Sequence, residues 1–143
     1  MKIHLPDVFA QAIRAHAIRD YPHEACGLLS GTHHPDGNIS INGAHESRNV
    51  TGRDRKTGFE IDPKLRFDVM RALEARDDGT EIIGHYHSHP DHPAEPSATD
   101  LSMTYEVDFI WLICAVTKDG ATELNAFKPF ADRRGFDALE ITG

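Results

Sequence analysis

An α/β fold, a mixed central sheet flanked by helices, is predicted by three features of the 143-residue chain. Two stretches, residues 7–19 and 63–76, carry apolar residues at helical spacing. Short apolar runs at residues 25–30, 81–88 and 109–117 are bounded by Gly, Pro or Asp and have strand rather than helix length. The length suits one hydrophobic core, so strands and helices must share a single sheet. We therefore expect one domain over 1–143.

In chain order, Pro6 and Asp7 open the first helix, in which Val8, Ala12 and Ala15 and also Phe9, Ile13 and Ala17 recur at helical intervals. Tyr21-Pro22 ends it near residue 19. Ala25–Ser30 and the alternating Ile39–Asn42 flank the turn-rich segment 33–38 and read as a hairpin. Residues 46–58, polar and holding two glycines, read as a long loop before a short strand, Phe59-Glu60-Ile61. Asp62-Pro63 supplies a cap and first-turn proline for a helix to about Arg76, with Leu65, Val69, Ala72 and Leu73 on one face. A strand from Glu81 to Ser88, a short helix from Ser97 to about Glu106, and strands at 109–117 and 124–127 complete the prediction.

The net charge of −8, with 15 scattered basic residues, argues against nucleic acid as a partner, because phosphate recognition needs a concentrated basic face. The longest apolar run, Phe109–Val116, is too short to span a membrane, and Met1-Lys2-Ile3-His4 lacks a signal-peptide core. A soluble, cytoplasmic protein without membrane partners is expected. Cys26 and Cys114 lie far apart without a Cys-x-x-Cys pattern, so neither a disulfide framework nor sulfur-ligated zinc is indicated.

The segment His85-Tyr86-His87-Ser88-His89-Pro90 carries the chemistry. Side chains two apart on a strand face the same way, so His87 and His89 can present imidazoles to one ion. Pro90 and Pro96 bracket a turn that can bring Asp100 back toward them from a helix, and three protein ligands leave a fourth position for water. With ten histidines in the chain, a His-x-His pair is expected roughly once by chance, so the pair alone carries little weight. A solvated histidine-rich loop beside an ordinary Ser97-x-x-Asp100 cap is the plain alternative. Glu24, just before an apolar strand, is a candidate proton carrier; local context alone reads it as an exposed glutamate.

Taken together, residues 22–29 (Pro-His-Glu-Ala-Cys-Gly-Leu-Leu), His87-Ser88-His89-Pro90, Pro96-Ser97 and Asp100 resemble the JAMM signature of the MPN/Mov34 zinc metalloproteases. That signature is a glutamate, then His-x-His, ten residues, then Asp; here residues 90–99 are the ten. The resemblance implies a three-layer MPN fold, related to that of cytidine deaminases, and a single JAMM domain over 1–143. It implies one Zn2+ per chain on His87, His89 and Asp100, Glu24 as general base and acid, and Ser97 as oxyanion donor, a role compatible with capping the following helix. His85 shares the ligand face but is expected beside the site, since three ligands and water complete a tetrahedron. Asp91, His92 and Glu95 are expected in solvent and Cys26 in the buried strand.

Only Val107 and Asp108 separate the short helix from the Phe109 strand, which leaves little room for the insertions of eukaryotic deubiquitinases. The resemblance is closer to compact prokaryotic members, associated with trimming ubiquitin-like sulfur-carrier proteins at Gly-Gly tails. An extended tail can add to a sheet edge, for which residues 59–61 are a candidate. Arg48, Arg53, Arg55 and Lys56 form a local basic cluster that could meet an acidic carrier, although solvated loop charge is the simpler reading. The sequence allows a homodimer without requiring one. A catalytically silent MPN scaffold would lack ligands, whereas every position is filled here. A RadC-like hydrolase shares the spacing but usually follows a helical N-terminal region, which is not expected for this chain and makes it the minor alternative, and a deaminase would need a Pro-Cys-x-x-Cys pair.

Overall fold

The computed structural model describes residues 1–143 as seven strands and three helices. Helix α1 (Asp7–Asp20) starts after Pro6 and stops at Tyr21. Helix α2 (Pro63–Arg76) begins where the Asp62 side chain accepts the Lys64 N–H and ends where Asp77 turns left-handed. Helix α3 (Ala98–Ser102) is shorter than the sequence predicts, since the chain leaves helical geometry at Met103. No helix is long and apolar enough to cross a membrane.

The strands are β1 (Lys2–His4), β2 (Cys26–His33), β3 (Ile39–Ser47), β4 (Glu81–Pro90), β5 (Ile110–Thr117), β6 (Gly120–Pro129) and β7 (Phe136–Thr142). They form a mixed sheet in the order β1-β3-β2-β4-β5-β6-β7, closed because β1 runs parallel to both β3 and β7. The pair β4–β5 is also parallel and the remaining pairs are antiparallel.

Three features depart from the sequence expectation. Strands β1 and β7 were not foreseen, because a three-residue strand and the mixed segment Phe136–Thr142 carry no run of buried residues. Strand β3 continues to Ser47 although its second half is polar and only partly buried. Residues 59–61 are not a ladder strand: Ile61 forms an isolated antiparallel bridge with Asn49, and the Glu60 N–H is taken by the Asn49 side chain.

The two faces of the sheet bury different things. Ile13 and Ala17 of α1 pack with Leu29, Tyr86, Leu112 and Cys114, the main core. On the opposite face Val69 and Leu73 of α2 pack on Leu28, and Trp111, Ile113 and Ala115 form a further cluster with Ala94 and Phe127. Burying each large side chain contributes roughly 1.5–3 kcal/mol. Gly84 is required where β4 meets β5, because a Cβ there would run into the Ile110 carbonyl. Gly84→Ala is expected to lower stability by about 2–3 kcal/mol, read as a reduced urea midpoint at unchanged slope; an unaltered midpoint would show that the strands can separate freely.

Candidate metal centre

Alternation along β4 sends His85, His87 and His89 to one face and Tyr86 and Ser88 to the other. The second set anchors the strand. Tyr86 Oη lies 2.7 Å from His16 Nδ1, and His16 Nε2 lies 3.1 Å from Asp20. Ser88 Oγ accepts the Ala25 N–H at 2.8 Å, and the Ser88 N–H donates to the Ala25 carbonyl at 3.0 Å. This locks the residue after Glu24 to the strand that bears the histidines.

Glu24 itself is held by its backbone. Its N–H donates to the Arg55 carbonyl at 2.7 Å, and its own carbonyl accepts from Asn49 Nδ2 at 3.2 Å. The long 48–62 segment thereby closes over the glutamate, which is 4 % exposed rather than solvated. On the other side, α3 opens with a capping box: Ser97 Oγ accepts the Asp100 N–H at 3.0 Å, while Asp100 Oδ2 accepts the Ser97 N–H at 2.9 Å.

The four groups converge. His87 Nε2 and His89 Nε2 are 3.1 Å apart, and Asp100 reaches them through Oδ1 at 3.2 Å and Oδ2 at 3.0 Å, respectively. Glu24, His87 and His89 offer donor atoms that all lie within 4.8 Å of one another. Ser97 lines a cleft with Glu24, Thr57 and His89. His87, His89 and Asp100 are all buried. His85 is buried too, but its ring turns toward Trp111 (4.4 Å between centroids) and Phe59 (5.3 Å) rather than joining the cluster. His92 and Glu95 are exposed, as expected; Asp91, also exposed, receives a bond from the Tyr21 hydroxyl. Cys26 is buried in β2.

Burial pushes the Glu24 carboxyl up to about 8; His89 opposes this and the Asp100 charge adds to it. Burial also works against ionised Asp100, but His87, His89 and the Ser97 N–H together hold it well below the usual carboxylate range. The His87 imidazole is lowered, chiefly by burial. His89, despite its burial, is raised by Asp100 and by the bond to the Pro93 carbonyl.

The donor set suits a borderline-soft divalent ion such as Zn2+. Two imidazole nitrogens facing each other at 3.1 Å can share at most one proton comfortably, and Glu24 Oε1 is enclosed without a partner. A cation among them satisfies both conditions. His89 Nδ1 lies 2.9 Å from the Pro93 carbonyl, a bond that assigns the proton to Nδ1 and leaves the Nε2 lone pair free to face a cation. His87 Nδ1 has no such acceptor. That ring is held instead by Phe59, stacked on it at 4.3 Å and 20°. The sequence places Phe59 only within a candidate edge strand for a tail and Asn49 in no role at all, because nothing in their spacing links either to the histidines.

Residues 6–128 match the family model described as prokaryotic homologs of the JAB domain. The chain is 33% identical over 102 residues to a desampylase of Haloferax volcanii, covering 71% of this chain and 69% of that protein. It is 32% identical over 120 residues to a CysO-cysteine peptidase of Mycobacterium tuberculosis, covering 82% and 75%. Among solved structures, a JAB1/MPN domain protein from Archaeoglobus fulgidus superposes with a TM-score of 0.56 over all of both chains; at 20% identity this speaks for the fold alone.

Proposed function

Because this chain belongs to the family of prokaryotic JAB-domain homologs, we propose that it is a zinc-dependent peptidase or isopeptidase. Its substrate in this reading is a ubiquitin-like, sulfur-carrier-type protein, hydrolysed at or after the C-terminal Gly-Gly. The relatives named desampylase and CysO-cysteine peptidase support a peptidase acting on small carrier-type proteins. The observation that carries the reading is the enclosed cluster of Glu24, His87, His89 and Asp100. Residues 1–143 are read as one catalytic domain. Helices packed on opposite faces of the sheet support the three-layer description of its architecture.

In this reading His87, His89 and Asp100 hold one Zn2+. When bound, the ion supplies Lewis acidity toward the scissile carbonyl and makes water more acidic. The protein's own groups do the rest. Glu24 takes a proton from the attacking water as the water oxygen bonds to the carbonyl carbon. It returns that proton to the amine nitrogen as the C–N bond breaks. Burial raises this carboxyl in the metal-free protein, and a cation bound beside it would favour the carboxylate again, the form that takes a proton from water. Ser97 Oγ, at the cleft wall, donates to the developing oxyanion.

Ligand imidazoles must be deprotonated, so proton and metal compete. His89 is raised in the metal-free protein and therefore yields its proton only at higher pH. Metal occupancy and cleavage of a Gly-Gly-extended carrier are expected to fall together as pH drops through and below the ordinary histidine range of about 6.5. Measuring bound zinc by atomic absorption beside cleavage at each pH tests this. Full activity after removal of all metal by a chelator would sink the zinc-hydrolase reading.

A further inference from the structure

On the His85 side of β4, next to the metal ligands, lies a pocket of about 260 Å3 that the chemistry above does not use. Register explains its place: Leu28, His85 and Trp111 are direct neighbours across β2, β4 and β5 and project from one face at one level. Phe59 and Phe109 complete the walls, and Tyr105 stands at the rim, 69% exposed. The Arg66–Glu106 ion pair, 2.8 Å, borders it, with the Arg66 guanidinium 5.1 Å from the centre of the Phe109 ring.

Two observations point to a ligand. The first is His85, only 9% exposed, in a lining that is mostly apolar, with Glu60, Arg66 and Glu106 as its charged members; the His85 Nδ1 is enclosed without a hydrogen-bond partner. Such a group is disfavoured unless something entering the pocket pairs with the ring. The second is adjacency: Phe59 lines the pocket and also stacks on His87, and the His85 and His87 rings are 6.0 Å apart. Alternate side chains of an extended peptide are separated by about 6–7 Å. A tail with its scissile bond at the metal cluster therefore reaches the pocket with a side chain a few residues away.

The inference rests on the proposed function, in which that tail ends in Gly-Gly. Two glycines offer no side chain to read, so discrimination between tails falls to the residues ahead of them. We propose that this pocket is a specificity subsite that takes a bulky apolar or aromatic side chain from one of the two residues preceding the Gly-Gly, with His85 bonding a hydroxyl at its tip.

Trp111 is the chain's single tryptophan, so its fluorescence reports pocket occupancy without any cleavage. Octapeptides ending in Gly-Gly, with Ala, Leu, Phe or Tyr at each of the two preceding positions, are titrated into the zinc-loaded protein. The same sequences extended beyond the second glycine are assayed for cleavage. Leu, Phe and Tyr peptides are expected to change Trp111 emission saturably, with Kd at least tenfold below that of Ala, and Tyr to bind several-fold tighter than Phe. His85→Phe should erase the Tyr-over-Phe preference, with bound zinc measured to confirm an intact cluster. Tyr105→Ala, at an exposed rim position that does not threaten folding, should weaken all bulky peptides. Cleavage at Gly-Gly with equal kcat/KM for Ala, Leu and Tyr, and no change in emission, would overturn the subsite and leave the peptidase reading intact. Saturable, size-selective binding without cleavage of any extended peptide would support the subsite and count against the peptidase.

Discussion

Glu24→Gln is expected to lower cleavage by about 10²–10⁴-fold and at the same time to make the metal-free protein more stable at pH 8. The first half follows from chemistry, because an amide can neither take a proton from water nor return one to the leaving amine. The second follows from linkage. Glu24 has a folded pKa of about 8, against an ordinary carboxylate value in the unfolded chain. Between roughly pH 4.5 and 8 the unfolded state therefore binds fewer protons, and stability falls as pH rises through that window. Water entry moderates the cost, which we place on the order of 1–2 kcal/mol. Glutamine removes the titration, so the thermal midpoint in chelator at pH 8 should rise by about 3–7 °C, with little difference at pH 4. A variant that loses activity and also loses stability at pH 8 would mean that Glu24 is ionised and paired in the metal-free fold, contrary to this account.

Asp100→Ala is expected to abolish zinc retention and to destabilise the metal-free protein by roughly 3–5 kcal/mol at pH 7. It leaves the His87 and His89 Nε2 atoms facing each other without their carboxylate, and it removes the bond to the Ser97 N–H that closes the capping box of α3. The folded pKa of Asp100 is depressed, so its contribution is complete above the ordinary aspartate range and disappears as pH falls through and below it. Urea unfolding in chelator should therefore show a wide gap between variant and parent at pH 7 that narrows below about pH 4. A gap that stayed constant across that range would locate the loss in helix capping rather than in the buried charge.

The candidate site was legible to the extent that its chemistry is local. The two-residue period of a strand puts His87 and His89 on one face, and a turn into the Ser97 cap aims Asp100 back at them; the distances of 3.0–3.2 Å agree with that expectation. The helices were legible for the same reason, since Pro6, Asp62 and Pro63 act within one turn of themselves. Glu24 was different. Nothing within ten residues of it reveals burial, and only the comparison with a known signature raised it above an exposed loop glutamate.

The amino-acid sequence by itself determined helices α1 and α2, the buried strands, the order of the histidines along β4 and the cap on Asp100, because each depends on periodicity or on contacts a few residues apart. The tertiary structure alone decided the closure of the sheet at β1, the burial of Glu24 under residues 48–62, the stacking of Phe59 on His87 and the pocket around His85. These depend on partners distant in sequence, as in the Asn49–Glu24 bond. Such pairings are set by the packing of the whole sheet, and no local pattern encodes them.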